Sequence, residues 1–259
     1  MHLRVIHWNI RVNCDIKKVI GFLFQNITER CLVNLQEVSE TSFGELSQTL
    51  KEQSIFSLHF RPPGCFEGRN RRMGVATLVF GGSVERASLL ERSVFPERTL
   101  ITEISMDGHP VKNFTFHSLT GVDYKKAKSS NFASIAGFLA LEQDLDFFSC
   151  DANEPKVDSY EDSLIEMYDN GDKGRKASLV FGGERVHGLK DSFKDYSKRM
   201  GLSLSEGFTF MTGKTKRRYD HIYHNPKWEV LFARSFYKES IEASSDHAMV
   251  VCDYVYLEQ

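Results

Sequence analysis

The stretch LRVIHWNI, Leu3 to Ile10, decides the fold. It is too short for a helix and dense in β-branched and aromatic side chains, the mark of a buried strand. It also delivers a polar residue, Asn9, at the exit of an apolar run. Behind it, Ile16, Val19, Ile20, Leu23, Phe24 and Ile27 recur with the 3.6-residue period of an amphipathic helix, with Asn13 or Asp15 available as cap. The next strand, CLVNL, exits in Gln36-Glu37. The same arrangement returns along the chain. His117 follows FTF, Asp151-Ala152-Asn153 follows LDFFSC, Asp220-His221 precedes IYH, and Asp246-His247 precedes AMVV. Strands that deliver carboxylates, amides and imidazoles at their ends build one shared site at the rim of a sheet.

Between these motifs, Ser42 and Glu45 form a candidate capping box for a helix to about Lys51, with a strand expected from Ile55 to Phe60. VATLVF and VERASLL flank Gly81-Gly82, and LITEISM and HPVKNFTF flank Asp107-Gly108, so both dipeptides read as hairpin turns. Phe132, Ile135, Ala136 and Leu139 mark a helix, as do Leu189, Phe193, Tyr196 and Met200, closed by Gly201. Residues 154–172 are acidic and poor in apolar side chains, which predicts a surface excursion. LVFGG occurs at Leu78 to Gly82 and again at Leu179 to Gly183, but the flanks differ and chance explains it better than a repeat. Helices too few and too irregularly placed for a doubly wound parallel sheet suggest two sheets packed face to face, with helices outside.

A chain of 259 residues, 41% hydrophobic, buries a substantial core and fits one domain, 1–259. The formal charge of −2 argues against a globally basic nucleic-acid binder and leaves the question to local clusters. Five cysteines, odd in number and without a CxxC pair, read as reduced thiols. The N-terminus enters Leu3 to Ile10 with no basic leader or cleavage pattern, and no run reaches membrane-spanning length. The expected location is cytoplasmic, with no membrane partner and no protein partner inferable.

In order, the motifs Trp8-Asn9-Ile10, Gln36-Glu37-Val38, His117-Ser118-Leu119, Cys150-Asp151-Ala152-Asn153, Arg218-Tyr219-Asp220-His221 and Ser245-Asp246-His247 resemble those of the endonuclease/exonuclease/phosphatase superfamily. Its members include deoxyribonuclease I, exonuclease III, abasic-site endonucleases, tyrosyl-DNA phosphodiesterase, inositol polyphosphate 5-phosphatases and neutral sphingomyelinases. The resemblance spans residues 5 to 252. It implies an α+β fold, a four-layer α/β/β/α sandwich of two packed mixed sheets with outer helices, and a divalent-metal-dependent phosphoester hydrolase. It further implies that Asp151 orients or deprotonates the attacking water and that Asn153 bonds phosphate. Asp220 and His247 resemble the family's carboxylate–imidazole dyad, and His117 its phosphate-contacting or leaving-group histidine. Asn9 and Glu37 suit Mg²⁺, with Mn²⁺ a possible substitute and Asp246 a further candidate ligand. His221 and His224 are read as structural. Two departures stand out: the family's Gly before Asp151 is Cys150, and where many relatives carry an Arg on the next helix, KKAKSSNFASIA has lysines and Ser134.

Three loops carry positive charge: Arg61, Arg69, Arg71 and Arg72 around Glu67; Lys125, Lys126 and Lys128 after Asp123; and Lys214, Lys216, Arg217 and Arg218 before Asp220. Beside motif-bearing strand ends they favour a polyanion, and a DNA backbone fits best, with Arg71, Arg72, Asn153, Lys216 and Arg217 as substrate-binding residues. The 5-phosphatase Trp-Cys-Asp-Arg pattern, the tryptophan-rich segment of abasic-site enzymes and a phosphotyrosyl-type signature are all absent. Two rivals stay open. One is an enzyme for a small or lipid phosphoester; the other is a catalytically silent binding module.

Overall fold

A computed structural model describes residues 1–61, 72–121, 125–168 and 174–257, apart from the side chains at 125 and 126. Strand β1 (His2–Asn9) runs parallel to β2 (Cys31–Val38), and helix α1 (Ile16–Phe24) joins them. Asp15 caps that helix, accepting from the backbone of Lys17 and Lys18. Helix α2 (Glu40–Leu50) begins before the expected capping box. Ser39, extended straight out of β2, takes the cap and accepts from Ser42 N, so Ser42 lies inside the helix. The strand expected to reach Phe60 stops as β3 (Gln53–Phe56). Beyond it the Ser57 hydroxyl donates to Glu97 O and accepts from Val75 N, and the chain turns into a 3₁₀ segment.

With β4 (Gly74–Phe80), β13 (Trp228–Phe236) and β14 (Met249–Tyr256), these strands form a six-stranded mixed sheet in the order β13-β14-β1-β2-β4-β3. A second mixed sheet holds β5 (Gly82–Ser88), β6 (Thr99–Met106), β7 (His109–His117), β8 (Phe147–Asp151), β9 (Lys190–Asp191) and β12 (Asp220–His224) in the order β5-β6-β7-β8-β12-β9. Asp107 and Gly108 both take positive φ and close the β6–β7 hairpin as expected. Gly81-Gly82 makes no hairpin: β4 and β5 belong to different sheets, and the dipeptide is the corner between them. Gly81 has φ +68°, and a Cβ there would meet Glu29 O at 2.2 Å, so only glycine passes.

Three apolar clusters define the layers. Helices α1 and α2 cover the outer face of the first sheet through Val19, Ile20, Leu23, Phe43 and Leu46 against Ile6, Trp8, Val33 and Leu35. Between the sheets, Leu3, Val5 and Leu32 meet Val111, Phe147 and Ile222. Helices α3 (Lys125–Leu141) and α4 (Arg175–Phe181) cover the second sheet through Phe132, Ile135, Leu139, Val180 and Phe181. Helix α5 (Ser192–Met200), capped by Asp191 and closed by Gly201 in a left-handed turn, sends Phe193 into the central cluster. A ribbon of β10 (Phe210–Thr212) and β11 (Thr215–Arg217) precedes β12, and the short α6 (Tyr237–Glu242) precedes β14. The arrangement is the expected α/β/β/α sandwich. Among the described residues no helix is long and apolar enough to cross a membrane.

The acidic stretch is less of an excursion than its composition suggests. Glu154 is fully buried, Val157 bridges to Glu166, and Asp158 pairs with Lys194 and Arg218 at 2.8 and 2.6 Å.

Candidate active site

The inward faces of the sheets change character along their length. On β1 the series is Leu3, Val5, His7, Asn9; on β7, Val111, Asn113, Thr115, His117; on β8, Phe147, Ser149, Asp151. At the apolar end lies the floor of the sandwich. Above it the amides and hydroxyls bond across the sheets: Asn34 and Asn113 exchange N–H···O bonds at 3.0 and 3.1 Å, and Gln36 Nε2 donates to Thr115 Oγ1 at 2.9 Å. At the other end the titratable groups gather.

Register brings them level. His117 pairs with Asp151 across β7–β8, and Asp220 pairs with Asp151 across β12–β8, so three adjacent strands present three functional groups side by side. The facing sheet contributes Asn9 and, through a register shift in β2, Glu37. Glu37 and Asn153 are non-glycine residues with φ of 56° and 50°. Such backbone costs about 1–3 kcal/mol, and it collects where a side chain must be aimed. The Glu37 carboxylate receives Asn9 Nδ2 at 3.3 Å and Val12 N at 3.1 Å. Asn9 Nδ2 also donates to Asp151 Oδ2 at 2.9 Å, while Asn9 Oδ1 accepts from Arg11 N. Asn9 therefore offers this cleft its N–H face. His247 reaches the rim from the loop before β14; Ser245 Oγ donates to Asn9 O and accepts from His247 N, and Trp8 Nε1 donates to His247 O.

Asp220 accepts from His247 Nδ1 on one oxygen at 2.8 Å and from His7 Nε2 on the other at 3.0 Å. Burial alone would raise Asp220, but the two imidazoles outweigh it and hold the carboxylate far below its ordinary range. His247 is the reciprocal case: burial works against its charge, yet Asp220, Asp151 and Asp246 raise it to about 10. Asp151 is pushed up to about 7 by burial, with Asp220 adding repulsion and His247 opposing. His117 is held neutral by burial and by the nearby Arg98 guanidinium. The site is thus a cationic His247 and a neutral His117, with Nε2 atoms 3.8 and 3.5 Å from Asp151 Oδ2.

No family model and no curated protein matches this chain. Solved structures do. A D. rerio TDP2 humanized by 14 mutations superposes with TM-score 0.71 at 13% identity, over 98% of this chain and 99% of that one. The human Nocturnin catalytic domain with bound sulfate gives 0.66 at 16% identity, covering 98% and 94%. An endonuclease/exonuclease/phosphatase family protein from Bacteroides thetaiotaomicron gives 0.61 at 13%, covering 99% and 98%. This chain has the endonuclease/exonuclease/phosphatase fold. A further D. rerio TDP2 structure with that fold, at TM-score 0.69 and 13% identity over 98% and 99%, holds a single-strand DNA product.

On the endonuclease/exonuclease/phosphatase fold the two departures acquire physical reasons. Cys150 points away from the cleft and packs with Phe116, Phe148 and Ala152 under α3 and α4. Lys128 of α3 is no surface charge. It is buried, pairs with buried Glu154 at 2.7 Å and donates to Asn153 O at 2.9 Å, holding the strained Asn153 turn from behind. Arg218, from the third basic run, is likewise buried between Asp158 and Asp191. Charge runs are usually solvated faces; here two of their members are internal cross-links.

Of the proposed substrate-binding set, Arg72 is exposed and Arg71 lies outside the described residues. Lys216 Nζ sits 4.5 Å over the Phe208 ring, Arg217 donates to Lys156 O, and Phe210 on the same ribbon packs against His247 at 4.6 Å. Asn153 N donates to Asp151 Oδ1 and its side chain to Ser118 O. Asp246 is exposed and points its charge at His247 from outside the cluster. His221 bonds Glu154 O and stacks on Phe181, and His224 bonds Ser192, both on the helix side or below the cleft. Two site residues escaped the motif reading: His7 and Arg98. For His7 the signal was available, because a period of two places it on the face of Asn9. Arg98 follows Pro96 in a 3₁₀ turn and carries no pattern that marks it.

Asp151, Asp220 and His247 bring one donor atom each within 4.8 Å, a spacing a metal ion could span. Both Asp220 oxygens are already taken by imidazoles and His247 carries a proton, so this trio is suited to handling protons. The partly exposed Glu37 carboxylate, next to Asp151, is the hard anionic oxygen that fits a divalent cation.

Proposed function

We propose that this protein is a divalent-metal-dependent phosphoester hydrolase acting on nucleic acid, with DNA as the favoured substrate. The observation that carries the reading is Asp151: a buried carboxylate titrating at about 7, fixed by Asn9 and Asn153, between a cationic and a neutral imidazole. A general base is most effective when its pKa lies near the working pH. Asp151 accepts the proton of the attacking water. His247 sets its positive charge against the phosphoryl oxygens as negative charge develops there. His117 donates an N–H to the same group, and Asp220 keeps His247 protonated. Glu37 would hold a divalent cation, Mg²⁺ or Mn²⁺, which when bound would supply Lewis-acid polarisation of the phosphoryl oxygen.

Nucleic acid is favoured by Arg72, Lys216 and Arg217, and by the single-strand DNA product held by a protein of the same fold. With Glu154 and Asp158 neutralised internally, the acidic segment repels a phosphate chain less than its composition suggests. The test is a turnover panel in Mg²⁺ and in Mn²⁺ over single-stranded DNA, duplex DNA, RNA, bis-p-nitrophenyl phosphate and inositol phosphates. Cleavage of DNA abolished by EDTA is expected. Turnover of inositol phosphates alone would transfer the reading to a compact phosphoester, and no turnover of any substrate to a binding module.

A further inference from the structure

His7 belongs to none of the sequence motifs, yet it is completely buried beside the catalytic rim. Its Nε2 lies 3.0 Å from Asp220 Oδ1, and its Nδ1 has no hydrogen-bond partner among the described residues. A leucine would fill this volume and carry no unpaired ring nitrogen, but it would leave Asp220 Oδ1 without its donor, so the bond to Asp220 is what the imidazole supplies here. The arrangement also fixes the tautomer. With its proton on Nε2, the neutral ring donates to Asp220; with its proton on Nδ1, it would turn a lone pair toward a carboxylate.

Asp220 starts β12 in one sheet, whereas His7 on β1 and His247 before β14 both come from the other. The terminal torsion of an aspartate is broad and sets no single plane for the carboxylate. One hydrogen bond leaves that plane free to swing; bonds to both oxygens fix it. His247 has its Nδ1 on Asp220 Oδ2, so the plane of the carboxylate determines where His247 Nε2 points, at present toward Asp151 Oδ2 at 3.8 Å.

We propose that His7 is a positioning residue: its Nε2–H pins Asp220 Oδ1, which locks the direction in which His247 presents Nε2 to the reacting phosphate. The role rests on the phosphoesterase reading for its catalytic consequence and on geometry alone for the lock. The test compares His7→Leu, which removes the donor, with His7→Gln, whose amide nitrogen restores an N–H at similar reach. With bis-p-nitrophenyl phosphate as probe, His7→Leu lowers kcat by about tenfold or more, the equivalent of one hydrogen bond to a charged group, and leaves KM within about twofold. His7→Gln returns kcat to within about threefold of the parent. Independently of turnover, the His247 Nδ1 proton, followed by NMR on ¹⁵N-histidine protein, exchanges with solvent faster in His7→Leu and at the parental rate in His7→Gln. Equal kcat and equal exchange in the two variants overturn the proposal. If His7→Leu does not fold, His7→Asn, whose amide stops short of Asp220, replaces it and the same comparison decides. A parent that hydrolyses nothing refutes the phosphoesterase reading, while the exchange measurement still decides the lock.

Discussion

Replacing Asp220 by Asn tests the electrostatic centre of the site. Asp220 has the largest effect of the three carboxylates that raise His247 to about 10, a value at which the protonated ring is favoured at pH 7 by about three pH units. At about 1.4 kcal/mol per unit this is about 4 kcal/mol, in the range found when one partner of a buried ion pair is removed. The amide oxygen can still accept from one imidazole, but its NH₂ faces the other donor. Asp220→Asn should therefore lower the His247 pKa and destabilise the fold by up to about 4 kcal/mol, Asp151 and Asp246 retaining part of the effect. The sign of the pH dependence follows. A histidine whose folded pKa lies above the unfolded 6.5 stabilises fully below 6.5 and loses that contribution as pH rises through about 10. The gap between parent and variant in urea unfolding should thus be widest near pH 6 and close by about pH 10. A gap that stays constant over that interval, or a His247 pKa in the variant equal to the parent's, would refute the argument.

Four other outcomes are expected. Glu37→Gln should keep the fold and reduce metal-supported hydrolysis by about a hundredfold or more, and EDTA should silence the parent equally; undiminished turnover in EDTA counts against the metal. For Asp151 the catalytic pH profile in the parent should fall below about pH 7 as the base is protonated, and Asp151→Asn should flatten that limb along with the rate. Lys128→Met strands Glu154 without its ion pair and frees the Asn153 turn; a loss of about 3–5 kcal/mol in thermal or urea unfolding is expected, against near zero for a surface lysine. In an Asp151→Asn background, binding of single-stranded DNA should weaken steeply with salt, and reversing Lys216 and Arg217 to Glu should reduce that slope by about one to two phosphate equivalents.

Much of the layer architecture was legible because one face of each strand carries its message at a period of two. LRVIHWNI and LDFFSCDAN give strand, orientation and functional residue together. What failed was local signal overruled at long range. Gly81-Gly82 has the composition of a hairpin turn, but hairpin and corner demand the same backbone freedom, and only the partner of β5 tells them apart. LVFGG shows the limit sharply: Leu78 to Phe80 is strand and Leu179 to Phe181 is helix. Lys128 and Arg218 sit in basic runs whose sequence favours a polyanionic substrate, and a run of charges carries no record of the buried carboxylates that fold against it. Periodicity places His7 on the face of Asn9, but an isolated histidine inside an apolar run carries no motif that marks its role.

The glycine corner has a mechanical consequence. In sequence order the chain passes from one sheet to the other twice, at Gly81 and again through Asn225–Lys227, and both crossings lie at the apolar floor. Arg30 and Asp107 pair at that same end. The sandwich is therefore bound like a book, with its spine under the core and its open edge at the cluster of titratable groups. Any opening of the two covers would hinge near Gly81 and be widest where Asn9 meets Asp151 and the imidazoles meet Asp220, the bonds that hold this edge closed. A substrate that touches both covers damps that mode, so occupancy should slow amide exchange at the open edge, around Ile10 and Tyr219, and leave exchange beside the spine unchanged.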